Sequence, residues 1–547
     1  MNDSSTPSSI PKSSVPGASM SPVAPLHEGC TMGDLILRAI HRGGDRAAFV
    51  LDDQVITYRE FGTMLSRMVQ FMQARGLQRG DAIATLSSNR PEAFLVNAAG
   101  YLLGLRSTWM HPLASEDDHA YLIEDSGVTH LFVDPLTFSE RARALQHRLP
   151  GLRHLYSLGT APDGRAPGED ALAACAGFTP GPLVSQAHVD DICTLIYTGG
   201  TTGQPKGVIH THRVQVTMVM TELTEWDWPA EVRFLAMTPI THAAGAMIVA
   251  VMSRAGTFVM SKGFDAQRFF DLVEQHRITC TFLVPTMIYV LLDHPAIDTA
   301  DTSSLKTIIY GASPMAPARL AEGMRRFGPV FMQLYGQSEA PNCVTTLRRD
   351  EHDPVQHPER LASCGMPSAG VQVALLDEAG QGVAEGEVGE ICVRGPLVMA
   401  GYWNKPVETA QTLRDGWLHT GDLARRDADG YLYIVDRSKD MIISGGFNVF
   451  PREVEDVLTR HPEVAAAAVI GIPDGKWGEA VKAVVVRKPG ATVSPEALMA
   501  LVREAKGAVQ TPKTVDFVEA LPVTGLGKPD KKALRARYWG GTQRAVN

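Results

Sequence analysis

Leu195-Ile-Tyr-Thr-Gly-Gly-Thr-Thr-Gly-Gln-Pro-Lys-Gly-Val208 is the most informative stretch of the chain. An apolar run of strand character opens into a loop that carries Gly199, Gly200 and Gly203, the hydroxyls of Thr198, Thr201 and Thr202, and the cation Lys206. Glycine removes the Cβ atoms that would keep a polyphosphate away from backbone amides, and hydroxyls and an ammonium add further donors. Such a loop is built to hold phosphate. It is not a Walker loop, which needs Gly-Lys-Ser/Thr opening a helix, because Pro205 precedes Lys206 and Gly207 follows it.

Outward from this loop, the chain alternates short β-rich runs with longer helical ones from about residue 26 to 436. Asp81-Ala-Ile-Ala-Thr85 precedes a helical stretch from Asn89 to Leu105, and Thr129-His-Leu-Phe-Val-Asp134 and Phe234-Leu-Ala-Met-Thr238 repeat the strand signature. The alternation predicts α/β layers with sheets between helices. The Gly/Pro/Ala-rich interval Gly159 to Gly181 reads as a loop between subdomains. Further on the pattern becomes a compact α+β unit. Tyr431-Leu-Tyr-Ile-Val-Asp436 reads as a strand, Pro451 to His461 as a helix opened by proline, Val464 to Ile470 and Glu479 to Val486 as strands, and a last helix starts at Pro495 with Ser494 as its cap. The predicted organisation is a Ser/Pro-rich disordered tail over 1–25, a large multi-subdomain α/β domain over 26–436, a hinge at 437–440 and a small α+β domain over 441–547.

Hydrophobic residues make up 44% and charged residues 20% of 547 positions, which suits a soluble globular chain with at least one large core. The charge sum, 51 − 60 = −9, gives no broad basic footprint for nucleic acid. Seven cysteines lie scattered with no CxxC spacing, which argues against a disulfide framework or a structural zinc and for a reducing, cytoplasmic compartment. The densest apolar stretch, Ala243 to Met252, is about half the length of a bilayer span, so no transmembrane helix is expected. The first 25 residues lack the continuous apolar core of a secretory signal.

With these residues in view, the chain resembles the adenylate-forming superfamily of acyl-CoA synthetases, nonribosomal adenylation domains and beetle luciferases, whose signature is Ser/Thr-Gly-Thr-Thr-Gly-x-Pro-Lys-Gly. Gly199 departs from the family's usual serine. The resemblance continues through Tyr335-Gly-Gln-Ser-Glu339, Gly416-Trp-Leu-His-Thr-Gly-Asp-Leu423, Asp436-Arg-Ser-Lys-Asp440, Ser444-Gly-Gly-Phe-Asn448 and Gly527-Lys528, in the family's order over about residues 30 to 540. It implies a large N-terminal domain carrying the nucleotide site and a small mobile C-terminal domain that rotates between two half-reactions. It implies ATP, Mg²⁺ and CoA as cofactor and co-substrates and a carboxylic acid as the group activated; no nucleic-acid partner is expected, and a homodimer is left open.

The roles that the resemblance implies are specific. Lys206 and the loop Thr198 to Gly203 hold the phosphates, Glu339 holds Mg²⁺, and Ser338, at the family's threonine position, keeps a hydroxyl for the α-phosphate. Asp422 accepts from the ribose hydroxyls with Arg437 beside it, while Gly311, Ala312, Ser313, Gln333, Tyr335, Gly336 and Ile434 wrap the adenine. Lys528, in a glycine-rich loop, bridges the substrate carboxylate and the α-phosphate during adenylation; its neighbours Lys531 and Lys532 read as a solvated basic face. Lys439 is the hinge, and rotation about it brings Ser444, Gly445 and Gly446 beside a pantetheine tunnel. His242 corresponds to the aromatic gate between the acyl pocket and the thiol tunnel. The small apolar run Ala243 to Met247, with Ala243, Gly245 and Met247 as pocket residues, favours a medium or long acyl chain or a bulky ring acid over acetate.

The expected activity is therefore that of an AMP-forming acyl-CoA ligase. Two rivals stand beside it. An amino-acid adenylation domain serving a carrier protein would show Phe-Asp where Thr238-Pro-Ile-Thr-His242 stands. A non-catalytic nucleotide-binding paralogue has no chemical reason to hold Lys206, Glu339, Asp422, Arg437 and Lys528 together.

Overall fold

The computed structural model describes residues 29–161, 164–198, 205–437, 440–444, 447–474, 477–523 and 529–539. Among these residues the strands form four sheets. The largest has nine strands, with Ala47–Leu51, Thr257–Met260, Arg233–Ala236, Cys280–Leu283, Thr307–Tyr310 and Phe331–Gln337 parallel and adjacent in that order. Antiparallel strands close both sides: Gln54–Thr57 at one, Ala340–Leu347 and Met366–Pro367 at the other. The second sheet has seven strands, in which Ile192–Thr198 ends the parallel run and Lys206–Thr211 returns antiparallel beside it, pairing Thr198 with Lys206. The phosphate loop therefore joins the arms of a hairpin, which is why no helix follows it.

One helix explains how the two large sheets pack. Pro91–Leu103 is apolar on every side apart from Glu92 and Asn97, and every one of its residues is buried. A helix without a polar face needs apolar neighbours all round, and it lies against strands of both sheets. Its polar members are satisfied locally: Glu92 pairs with Arg90 at 2.8 Å, and Asn97 donates to the Ala93 carbonyl at 3.0 Å. Gly104, in the left-handed conformation at φ 70°, ends it.

A third, antiparallel sheet combines Gln372–Leu376, Gly389–Arg394, Leu413–Arg414, Trp417–Arg426 and Leu432–Arg437. The fourth begins at Ile442–Ser444 and adds Phe447–Val449, Gly478–Arg487, Val464–Asp474 and Thr514–Val518. The helices Pro451–Leu458 and Pro495–Lys506 cover this sheet, the second with Ser494 accepting from the Ala497 amide. The change of sheet thus falls between Arg437 and Ile442. The interval 159–181 differs from expectation: it contains the edge strand Glu169–Asp170 and the helix Ala171–Cys175, capped by Asp170. Its glycines had masked a short helix whose Ala171 and Cys175 sit in the main core.

His210, His212 and His352 are buried as neutral rings. His210 donates from Nε2 to the Ser338 carbonyl and accepts at Nδ1 from Gln215; His212 accepts from the Met32 amide; His352 accepts from the Tyr310 hydroxyl while its Nδ1 donates to the Arg348 carbonyl. Each needs one bare ring nitrogen, and burial pushes all three down to about 4. The folded state therefore binds fewer protons than the unfolded chain between the ordinary histidine value and about pH 4, so stability present above pH 6.5 is lost as pH falls through that window. Thermal unfolding scanned from pH 7.5 to 4.5 is expected to show a falling Tm, with a smaller fall in His212→Gln. An unchanged slope in that variant would remove His212 from the account.

Candidate functional site

The sheets converge on a cavity of about 1750 Å³ at the carboxyl ends of Thr307–Tyr310 and Phe331–Gln337, the place where parallel sheets bind ligands. Pockets for one small molecule run to roughly 1,000 Å³, so this volume suits a nucleotide together with a second substrate.

At one end, Asp422 lies opposite Arg437 in the antiparallel pairing of Trp417–Arg426 with Leu432–Arg437. Its carboxylate accepts from the Tyr335 hydroxyl at 2.7 Å and pairs with Arg437 Nε at 3.0 Å, and its amide donates to Thr420 Oγ1. Asp422 is 5% exposed. Burial and the neighbouring carboxylate push the Tyr335 phenol far up, so it stays a donor. Asp422 raises Arg437 above its ordinary value. A buried carboxylate with fixed partners suits the acceptor of a diol. Ala312, Ser313, Gln333, Gly336 and Ile434 line the cavity as well. Gly311 does not: it is buried, and a Cβ there would meet the Leu334 carbonyl at 2.5 Å, so close packing of neighbouring strands requires glycine.

At the centre, Tyr402 connects two expected phosphate-side residues. Its hydroxyl donates to Glu339 Oε1 at 2.7 Å and its ring lies 4.2 Å below Lys206 Nζ. Burial and the Glu339 carboxylate raise its phenol far above the ordinary value. The same loop braces the hairpin: the Tyr402–Val208 bridge and the Trp403 amide on the Gly207 carbonyl lay it along Lys206–Thr211. A Cβ on Gly207 would lie 3.0 Å from the Tyr197 ring and 3.3 Å from Trp403. Beyond Glu339, the Ser338 carbonyl is held by His210 at 2.6 Å. Glu339, with one oxygen on Tyr402, offers its other to a hard cation, so the donor set fits Mg²⁺ completed by phosphate oxygens. Tyr402→Phe keeps the ring under Lys206 but removes the hydrogen bond. The KM for MgATP should rise about five- to tenfold, from the roughly 1–1.5 kcal/mol net contribution of one hydrogen bond; an unchanged value would show that Tyr402 does not position Glu339.

The other end is mostly apolar, with Phe94, Trp109, Met218, Ala246 and Val249 in its walls. His242 lines the cavity, its ring edge-on to His111 at 4.5 Å and its Nδ1 on Thr241 Oγ1 at 2.9 Å. Ala243 and Gly245 line the cavity, but a Cβ on Gly245 would fall 1.7 Å from the Ile240 carbonyl, so its smallness first serves the turn. Met247 is a correction: it is fully buried in the main core and is not part of the cavity wall, because the helix Ile248–Ser253 turns it inward.

From the smaller domain, Val523 and Pro529 bridge to each other and both line the cavity, flanking residues 524–528. Lys531 also lines it and is no solvated charge: Nζ pairs with Glu455 at 2.9 Å, and Glu455, Asp436 and Asp440 raise it. Lys532 is exposed. Ser444 is 6% exposed, paired with Phe447 and Gly478 in its sheet and away from the cavity wall. Gly199, Gly200, Thr201, Thr202, Gly203, Lys439, Gly445, Gly446 and Lys528 lie outside the described residues. Sequence reading missed Tyr402 and His111; the only signal for the former was the aromatic pair in Gly401-Tyr-Trp-Asn404, which has no obvious core role.

Residues 36–403 match the family model for the AMP-binding enzyme, and residues 453–528 match that for the AMP-binding enzyme C-terminal domain. The medium/long-chain-fatty-acid–CoA ligase FadD8 of Mycobacterium tuberculosis is 49% identical over 524 residues, covering 94% of this chain and 91% of its own. Feruloyl-CoA synthase of an Amycolatopsis species is 38% identical, covering 88% and 94%. Among solved structures, the amide bond synthetase McbA from Marinactinospora thermotolerans superposes with a TM-score of 0.85 at 34% identity, covering 93% of this chain and 100% of that one.

Proposed function

The chain belongs to the AMP-binding enzyme family, and from that premise we propose that the acid it activates is a medium- or long-chain fatty acid or a ring acid of similar bulk. The enzyme is an acyl-CoA ligase: it uses ATP to form an acyl-adenylate and hands the acyl group to CoA. The observation that carries the substrate reading is one cavity lined both by the polar group Asp422, Tyr335 and Arg437 and by the apolar side chains Phe94, Trp109 and Val249, with Ser338, Glu339 and Lys206 also in its wall. The identity to a medium/long-chain ligase points the same way.

In the first half-reaction a carboxylate oxygen attacks the α-phosphorus, the bond to the bridging oxygen breaks and pyrophosphate leaves. Two anions must approach in line, so the protein's work is charge neutralisation and alignment. We assign Asp422 to the ribose hydroxyls, Tyr335 and Arg437 to fixing Asp422, Lys206 to the phosphates, and Lys528 to the carboxylate and α-phosphate. Mg²⁺, when held by Glu339, would screen the phosphate charge. In the second half-reaction the CoA thiolate attacks the acyl carbonyl and AMP leaves. Ser444 lies away from the cavity while Val523 and Pro529 line it, an arrangement that supports reading this state as the adenylating one. Rotation at 437–440, between a domain at 26–436 and one at 441–547, would then exchange these segments.

Seven cysteines without a disulfide among the described residues support a reducing, cytoplasmic setting, and no described helix is long and apolar enough to cross a membrane. Light scattering decides between a monomer and the homodimer that the sequence reading entertains. The test of substrate is AMP release with ATP, Mg²⁺ and CoA against short, medium and long fatty acids and aryl or polycyclic acids. Acyl-CoA from medium, long or ring acids supports the proposal; a preference for acetate or propionate overturns it. Pyrophosphate exchange without acyl-CoA would move the acceptor to a carrier protein.

A further inference from the structure

The apolar end of the cavity contains one feature that a plain hydrocarbon does not need. Asn342 lines the cavity, and its Nδ2 donates to Glu222 Oε1 at 3.1 Å. Glu222 is 0% exposed, and its second oxygen, Oε2, has no hydrogen-bond partner among the described residues. The two come from different elements. Glu222 belongs to the helix His212–Glu225, on the face that also carries Gln215 and Met218, both of which line the cavity. Asn342 belongs to the strand Ala340–Leu347, where it takes a φ of 54°, a left-handed conformation rare within a strand and best tolerated by asparagine. Its backbone nitrogen lies 2.5 Å from where a Cβ on Gly336 would stand, so Asn342 sits directly beside the Tyr335-Gly-Gln-Ser-Glu339 segment.

We propose that Asn342, positioned by Glu222, is a specificity-determining residue that recognises a hydroxyl group on the acyl substrate. This rests on the ligase reading and deepens it: the preferred acids are hydrophobic acids with a hydroxyl where the chain or ring passes Asn342. An asparagine amide has donors and an acceptor. Glu222 takes one donor, and among the described residues the amide's other hydrogen-bonding contact is a long one of 3.8 Å to Met218 Sδ. The Oδ1 acceptor has no partner among the described residues, and a hydroxyl, itself donor and acceptor, can satisfy both faces of the amide. Burial pushes the Glu222 carboxyl up to about 8, so it is held as a neutral acid that fixes the amide without placing a charge beside an apolar substrate. A bare methylene chain at this point would leave the amide unpaired, and sites that hydrogen-bond a substrate hydroxyl discriminate against analogues lacking it far more strongly than apolar pockets discriminate by size.

The experiment compares kcat/KM for acids of matched size that differ by one hydroxyl: dodecanoate with monohydroxydodecanoates substituted at successive positions, and cinnamate with its ring-hydroxylated forms. Equilibrium dialysis of the same radiolabelled pairs reads the preference without turnover. The wild type should prefer at least one hydroxy acid over its plain partner by about tenfold or more. Asn342→Leu should abolish or reverse that ratio. Glu222→Gln, which keeps a neutral carbonyl acceptor, should retain the ratio, and Glu222→Leu should lose most of it. Plain acids turned over or bound at least as well as every hydroxy partner, or an unchanged ratio in Asn342→Leu, overturn the proposal. Turnover of plain acids to acyl-CoA in that case leaves the ligase reading intact, so the two failures are distinct.

Discussion

Lys528→Ala is expected to slow acyl-adenylate formation by about a hundredfold or more, while transfer of a preformed acyl-adenylate to CoA stays within a few fold. The magnitude is that of removing one pre-positioned donor from a transition state that develops charge, roughly 3 kcal/mol. The asymmetry is the diagnostic part. Val523 and Pro529 border the segment that carries Lys528, and both face the cavity. The neighbouring Lys531–Glu455 pair fastens the start of the helix Lys531–Tyr538 to the helix Pro451–Leu458. On the proposed assignment, Lys528 serves only the adenylating state. Pyrophosphate exchange measures the first step, and thioester formation from synthetic acyl-adenylate measures the second. An equal loss in both would refute the division of labour and place Lys528 in a structural role.

Asp422→Asn should lower kcat/KM for ATP about a hundredfold, chiefly through KM. The substitution preserves shape but removes the negative charge that Tyr335 and Arg437 hold at 2.7 and 3.0 Å. Two charge-assisted hydrogen bonds to the ribose, each worth about 1.5 kcal/mol, account for the size. The variant should also unfold at a lower temperature, since Arg437 loses its partner across the strand pair and the half-buried Tyr335 phenol meets a weaker acceptor. Pyrophosphate exchange at varied ATP decides the matter: an unchanged KM would remove Asp422 from the nucleotide site.

Much of the scaffold was legible because its signals are local. Runs such as Thr129-His-Leu-Phe-Val-Asp134 and caps such as Ser494 report on their own segments, and the observed His130–Val133 and Pro495–Lys506 follow them within a residue or two. Asp422 and Arg437 were legible as a pair only through the family resemblance; their pairing in register across adjacent strands supplies the physical cause. What stayed hidden depends on contacts between distant segments. Tyr402 reaches Glu339 across 63 positions, and Glu222 reaches Asn342 across 120. Nothing in the neighbourhood of a buried glutamate announces that it will be neutral, because its environment is assembled from another strand. The misreadings of Met247 and Lys531 have the same origin: size and charge were judged along the chain, whereas the direction of a helix and a glutamate on a separate element decided where each went.

The helix Pro91–Leu103, buried on all sides, sets an order of events during synthesis. Ala47–Leu51, which it touches, pairs in parallel with Thr257–Met260, joining Phe49 to Phe258 across 258 − 49 = 209 residues. At about 5–20 residues per second, the ribosome needs roughly 10–40 s between emitting the two partners. Throughout that interval the strand that Ala47–Leu51 lends to this helix lacks its own parallel neighbour, so shielding of this segment by chaperones is expected to govern the yield of folded protein when translation is fast.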